Sequence, residues 1–363
     1  MRVILQPGEG RIEGAHYLAS TPDTVSWGWL PNRDAKPVLR IASGDVVTID
    51  TMSHEGLLED QGRDPVSFFA AHGVAAGDLL RDAVAIADGV PHDELAAGPH
   101  VVTGPIDLDG AEPGDLLRVE VLSLRLRVPY GVISNRHGLG ALPGEYPPEP
   151  GTVSVFSRVD DGVEGRHATL PFGEGRVARF PLAPFLGVMG VAPDTSELVS
   201  STPPGSHAGN IDVAALGVGS ALYVPVQVPG AGFYVGDPHF AQGNGEVCLT
   251  ALEGSLRADV RVSLVTADDA RAMVGLLREP FGETDEHWIP IGLHEDLDEA
   301  LRRAVRAAIE LLHARVGMER QLAYMYLSAA ADFEVSQVVD GVKGVHCLIR
   351  KRDFPGSEGS RPP

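Results

Sequence analysis

A mainly β architecture of sandwich or barrel sheets, with an α/β region appended at its C-terminal end, is what this 363-residue sequence predicts. Three observations predict it. Glycine (43) and proline (28) together make up about a fifth of the chain, against a usual ~12%, and they are spread along it rather than gathered in repeats. That distribution suits many short strands joined by tight turns, not a helical bundle. A turn-then-strand unit recurs, and helical periodicity is concentrated beyond residue 265.

The elements follow in order. Val38-Leu39-Arg40-Ile41, the turn Ser43-Gly44-Asp45 and the β-branched run Val46-Val47-Thr48-Ile49 read as strand, turn and strand. The device returns as Glu112-Pro113-Gly114-Asp115 before the alternating run 116–122, and as Gly217-Val218-Gly219-Ser220 before 221–226. Short helices are expected within 64–76 and 77–86. Residues 129–151, rich in Gly and Pro, read as a long loop, which is functional or wraps another part of the fold. Trp27-Gly28-Trp29 reads as core or interface packing. Asp296 is a candidate N-cap for a helix over 296–316, with Leu297, Leu301, Val305, Ala308, Ile309 and Leu312 at helical spacing. A second helix is expected over 318–331, then a short turn and strand over 333–349. The organisation is a β-rich catalytic body (1–257), an α/β portion completing the fold (258–354) and a disordered tail (355–363).

Lys and Arg number 29 and Asp and Glu 50, a formal net charge of −21. Such a surface repels phosphate backbones and anionic lipid headgroups, so nucleic-acid and membrane partners are not expected and a neutral or cationic small molecule is. Two cysteines are too few for a disulfide framework and suit a reducing compartment. No long apolar run follows Met1, and no stretch approaches a membrane span, so a cytoplasmic protein is expected.

Three polar clusters could carry chemistry. In Gly236-Asp237-Pro238-His239, an extended chain would point Asp237 and His239 to one side, and glycines 243 and 245 would let Glu246 fold back over them. On spacing alone a polar turn is the favoured reading, since two ligand-type residues do not define a site. Asn210 and Asp212 have the same spacing, and equally suit the capping of a turn. His100 opens an apolar strand, where a core histidine is the commoner outcome. Ser53-His54-Glu55, Glu59-Asp60 and His137 could edge a pocket or be solvated. Cys248 reads as buried and inert. There is neither a Gly-x-Ser-x-Gly elbow nor a phosphate-binding lysine loop.

Taken in order, several segments resemble the acetamidase/formamidase family: Val25-Ser26-Trp27-Gly28-Trp29, Gly98-Pro99-His100 to Ile106, Gly110 to Asp115, Pro184 to Pro193, Gly209-Asn210-Ile211-Asp212, Gly236-Asp237-Pro238-His239 to Cys248, and Lys343-Gly344-Val345-His346. The resemblance covers most of the chain. It implies a jelly-roll or sandwich-like body with a second β-barrel portion and a small α/β element, a homodimer or larger homo-oligomer, and a divalent metal, zinc, with Ca²⁺ as the alternative. The implied activity is hydrolysis of a small neutral amide to a carboxylate and ammonia. Where a glycine is common in the family this chain has Ala208 and Leu249. Phe240 replaces a small residue and is expected to reshape the pocket.

On this reading His100, Asp212 and Asp237 hold the metal. Glu246, with His239, performs the acid–base work, and Asn210 and Gln242 bind substrate. Three alternatives stand beside it: hydrolysis of another linear or cyclic C–N bond, a non-catalytic β module that binds a small ligand around a structural Ca²⁺, and an amidase with Cys248 as nucleophile.

Overall fold

A computed structural model describes residues 4–162, 165–275 and 279–355, so all of the expected tail except Pro355 lies outside the described residues. The chain is mainly β, with 37% of it in strands and 19% in helices, which sets the sheets as the scaffold. Two large sheets dominate. The first orders His16–Leu18, Val46–Asp50, Leu256–Val265, Leu116–Leu126, Ala221–Pro225, Phe281–Glu283, His287–His294, Lys343–Arg350 and Asp332–Gln337. The second runs from the hairpin strands Val177–Pro181, Gly165–Pro171 and Thr152–Gly162 through Tyr130–Arg136 and Leu252–Glu253. It continues through Phe233–Ala241 and Phe185–Gly190 to Ala208–Asn210, and Val101–Leu108 branches from Phe233–Ala241. Neither sheet closes on itself, so the expected barrel portion takes the form of an open sheet.

Pairing is antiparallel except for two short parallel pairs among the described residues, His16–Leu18 with Val46–Asp50 and Leu39–Ile41 with Val101–Leu108. One apolar cluster joins inward residues of both sheets, such as Ile49, Val119 and Val260 from the first and Val101, Leu186 and Val235 from the second. This is sandwich packing, with alternate residues of each strand turned to a shared core. Trp27 belongs to it. Its ring is buried and stacks on His92 at 4.7 Å, and its indole N–H donates to the Pro99 carbonyl at 3.0 Å.

The turn-and-strand units lie where the sequence predicts them. The expected loop over 129–151 is shorter, because its first part is the strand Tyr130–Arg136, paired with Thr152–Gly162. Its remainder, 137–151, is irregular. The short helices are Pro65–Ala71, capped by the Asp64 carboxylate, and Arg81–Gly89. The segment after 332 is a hairpin, Asp332–Gln337 with Lys343–Arg350.

The helix Leu297–Val316 starts under the Asp296 cap, which accepts from the Glu299 N–H at 2.9 Å, and ends at Gly317. Its buried face includes Ala308 and Leu312 of the expected positions but is otherwise built mostly of alanine. Leu301 is 40% exposed, while Ala300, Ala304, Ala307, Ala308, Leu311 and Leu312 face the sheet. The reason is the closeness of the strand His287–His294. A Cβ on Gly292 would lie 2.2 Å from the Ala300 carbonyl oxygen and 2.3 Å from the Ala304 nitrogen. Only small residues on both sides permit that approach. A second apolar core, including Tyr223, Phe281, Trp288, Leu311, Leu327 and Ile349, lies under this helix and Arg320–Ala330. No described helix is long and apolar enough to cross a membrane. Gly292→Ala should force helix and strand apart and destabilise the protein by about 1–3 kcal/mol, read as a lower midpoint in thermal or denaturant unfolding.

Candidate functional site

Asp237 is the hub of the site. It sits in the central strand Phe233–Ala241, where the pairing register is irregular towards both ends, and takes a left-handed backbone conformation, φ +49°. The spacing argument holds at its neighbour: His239 Nε2 lies 2.9 Å from Asp237 Oδ2. Two further imidazoles arrive from distant segments. His100, just before the strand Val101–Leu108, brings Nε2 to 3.7 Å from Oδ2. His54, four residues beyond the strand Val46–Asp50, brings Nδ1 to 3.6 Å from Oδ1. Glu253 Oε1 approaches His239 Nε2 at 3.2 Å and Glu246 Oε1 at 3.9 Å.

Each imidazole is held from behind by an acceptor. His100 Nδ1 lies 3.2 Å from the Ser201 carbonyl oxygen and 2.9 Å from its hydroxyl. Gln242 donates through Nε2 to the carbonyls of Asp212 and Ser336, so its Oε1 faces His239 Nδ1 at 2.9 Å. His54 Nε2 lies 3.5 Å from Glu55 Oε1, and Glu55 is itself engaged by Arg136, Ser134 and Gln61. An acceptor on the far nitrogen leaves the near nitrogen facing the carboxylates, where it donates to Asp237 when protonated and offers a lone pair to a metal ion when that proton is lost.

Asp212 (φ +48°) and Glu246 (φ +46°) share the left-handed conformation of Asp237. Such conformations cost roughly 1–3 kcal/mol each and persist where the surroundings dictate them. Asp212, His239 and Glu246 bring potential ligand atoms within 4.8 Å of one another, as do His54, His100 and Asp237, and Asp237, His239 and Glu253. Gly187 forms the backing. A Cβ there would stand 2.5 Å from both an Asp212 and an Asp237 carboxylate oxygen and 2.9 Å from His239 Cε1. Asp340, in the turn of the C-terminal hairpin, completes the acidic set and meets Asp212. The hairpin is docked by Gly245 N–H to the Ser336 carbonyl (2.9 Å) and Val338 N–H to the Gly245 carbonyl (3.2 Å).

The electrostatics record a surplus of buried negative charge. Burial, with Glu246, Asp340 and Asp237 nearby, holds the Asp212 carboxyl well above the usual carboxylate range. Burial likewise raises Glu246 and Glu253, and pushes Asp340 up to about 8 with the Asp237 charge adding to it. Asp237 goes the other way: burial opposes its ionisation, but His239, His100 and His54 hold it low. Burial pushes His100 down to about 4. Both Asp212 carboxylate oxygens, Asp237 Oδ1, His54 Nδ1, His239 Nε2 and Glu253 Oε2 are buried without a hydrogen-bond partner. Orphaned polar atoms are costly, and a set of N and O donors converging in this way could hold a metal ion.

A pocket of about 510 Å³ opens onto the cluster. His54, His100, Asp237, Glu246, Glu253 and Asp340 form its polar end, and Leu58, Pro99, Leu139, Leu249 and Val339 its apolar walls. Asn210 lines it too, with its amide donating to the Thr202 carbonyl (3.1 Å) and Oδ1 left without a partner. His137 and Leu139 on the 137–151 segment also line it, so that segment covers the site.

Every candidate read from the sequence lies in or beside this cluster, with some roles shifted. His100 and Asp212 fall in different triads, so the expected trio of His100, Asp212 and Asp237 is not one group. Both ends of the Gln242 amide are engaged within the chain, which makes it a positioner of His239 rather than a substrate contact. Phe240 does not line the pocket. It points to the opposite side of its strand from His239 and packs on Gly254, as alternation requires. Glu253, Asp340 and Gly187 were not singled out in the sequence, and His54 was left between a pocket edge and a solvated loop. Burial raises the Cys248 thiol, consistent with an inert cysteine.

Comparison with known proteins gives the family. Residues 82–202 and 195–349 match the model of the Acetamidase/Formamidase family. A formamidase of Methylophilus methylotrophus is 26% identical over 211 residues, 46% of this chain and 52% of that protein. An acetamidase of Mycolicibacterium smegmatis is 29% identical over 218 residues, 46% of this chain and 53% of that one. The chain thus spans about half the length of the curated relatives it matches. The crystal structure of an acetamidase from Bacillus halodurans superposes with a TM-score of 0.71 at 25% identity, covering 94% of this chain and 99% of that one. With more than half of its length matched by the family model, the chain belongs to the acetamidase/formamidase family.

Proposed function

We propose that this protein hydrolyses short-chain linear amides, of the formamide and acetamide kind, to a carboxylate and ammonia, at a site that holds a divalent cation. The observation that carries the reading is the set of buried donors His54 Nδ1, Asp237 Oδ1 and Glu253 Oε2, which have no hydrogen-bond partner and belong to residues that line the pocket. The names of the related formamidase and acetamidase support the substrate class.

The donors fit such an ion. Imidazole nitrogen and carboxylate oxygen are the ligands that zinc accepts, and a +2 charge offsets the crowding of five buried carboxylates, Asp212, Asp237, Glu246, Glu253 and Asp340. The holding residues are those of the two triads that share Asp237, namely His54, His100, Asp237, His239 and Glu253, and zinc is the metal proposed. A divalent cation there supplies a Lewis acid for the amide carbonyl and lowers the pKa of water.

The chain's own residues do the rest. Glu246 lines the pocket beside Asp237, Glu253 and Asp340, and it is the residue assigned the acid–base role, since a +2 charge in the cluster would let its carboxyl ionise. It takes a proton from the attacking water and returns it to the departing nitrogen, because an amine leaves only when protonated. Asn210 Oδ1 accepts from the substrate amide and fixes which end faces Glu246. Gln242, Ser201 and Glu55 hold the imidazoles in one tautomer.

The acidic surface suits a small neutral substrate. We take the protein as cytoplasmic, which its two free cysteines support. We also take it as a homodimer or larger homo-oligomer, which exposed Leu322, Tyr324 and Met325 on one helix support.

Ammonia release from formamide, acetamide and propionamide, paired with metal analysis, tests the reading. Metal-free protein with no ammonia from any amide would overturn it. Glu246→Gln should lower turnover at least ~100-fold with metal content retained. Gly187→Ala should leave the circular dichroism spectrum unchanged and weaken metal retention on dialysis roughly tenfold or more, since its methyl displaces two carboxylates and an imidazole. Cys248→Ala should keep activity, and its loss would point to a cysteine nucleophile instead.

A further inference from the structure

Leu249 adopts φ +108°, a backbone conformation that side chains bearing a Cβ rarely enter. The turn around it imposes this. Leu249 N–H donates to the Glu246 carbonyl (3.1 Å), the residue bridges to Asn135, and the next side chain, Thr250, is tied to the backbone of Ser134 by two hydrogen bonds (2.9 and 3.2 Å). A leucine fixed there would ordinarily recover the strain by burial in a core. This one is only half-buried, and it lines the pocket within three residues of Glu246, facing the same cavity as Leu58, Leu139 and Val339.

We propose that Leu249 is a specificity-determining residue whose side chain limits the size of the amide's acyl group. This rests on the amidase reading above. The strained backbone explains why the wall is rigid: the short turn that carries Leu249 also carries Glu246, so the wall cannot retreat from a larger substrate without moving the acid–base carboxylate. Small acyl groups fit between Leu249 and the polar end of the pocket, and branched or aromatic ones meet it.

The test compares wild type with Leu249→Ala, Leu249→Gly and Leu249→Phe on formamide, acetamide, butyramide and benzamide. Both truncations should raise kcat/KM for benzamide relative to acetamide at least tenfold, and Leu249→Phe should shift preference towards formamide. Leu249→Gly should also unfold at a higher temperature than Leu249→Ala, because only glycine relieves the conformation while both lose the side chain. Wild-type ammonia release with the substrate ratio unchanged in the truncated proteins overturns this inference alone. A wild type silent on every amide overturns the amidase reading, and this inference with it.

Discussion

Everything in the site depends on keeping the Asp237 carboxylate charged inside the protein. A bare carboxylate removed from water is expensive, and the cost is offset only by close opposite charge or full hydrogen bonding. Here three imidazoles surround it, each anchored on its far side by Ser201, Gln242 or Glu55. The other carboxylates, Asp212, Glu246, Glu253 and Asp340, are crowded into the same space and resist ionisation together. This imbalance is why the cluster could hold a cation.

The scaffold follows from that demand. The central strand Phe233–Ala241 lies between Val101–Leu108 and Phe185–Gly190, so His100, Gly187, Asp237 and His239 are supplied by adjoining strands of one sheet. Rigid strands give positional accuracy that loops cannot. Gly187 leaves the floor open for two carboxylates, and the C-terminal hairpin closes one side through Asp340. The portion after residue 258 therefore completes the site as well as the fold.

Local features were legible in the sequence wherever a short-range signal exists. Turn residues announced the strands at Val46–Asp50, Leu116–Leu126 and Ala221–Pro225, and Asp296 announced its helix. The i, i+2 spacing of Asp237 and His239 anticipated their contact. The long loop was overextended because Gly and Pro in 137–151 masked the strand before it. On the long helix Ala308 and Leu312 are buried as their spacing suggests, while Leu301 is exposed because the approach of Gly292 selects alanine on the buried face. His54 reads from the sequence only as a pocket edge or a solvated residue, and Asp340 carries no signal of its own. A histidine after a strand and an aspartate in a hairpin turn are ordinary until the chain is folded.

By itself, then, the sequence determined the class of fold, the family and most of the residue types at the site, since these rest on patterns within a few residues of one another. Tertiary structure alone decided which atoms meet. His54, His100, Asp212, Asp237 and Asp340 come from segments that only the two sheets bring together, and the left-handed turns at Asp212, Asp237 and Glu246 are imposed by long-range packing. The roles of Gln242 and Phe240 were settled the same way. One is spent on holding an imidazole, and the other is turned by strand alternation into the opposite face.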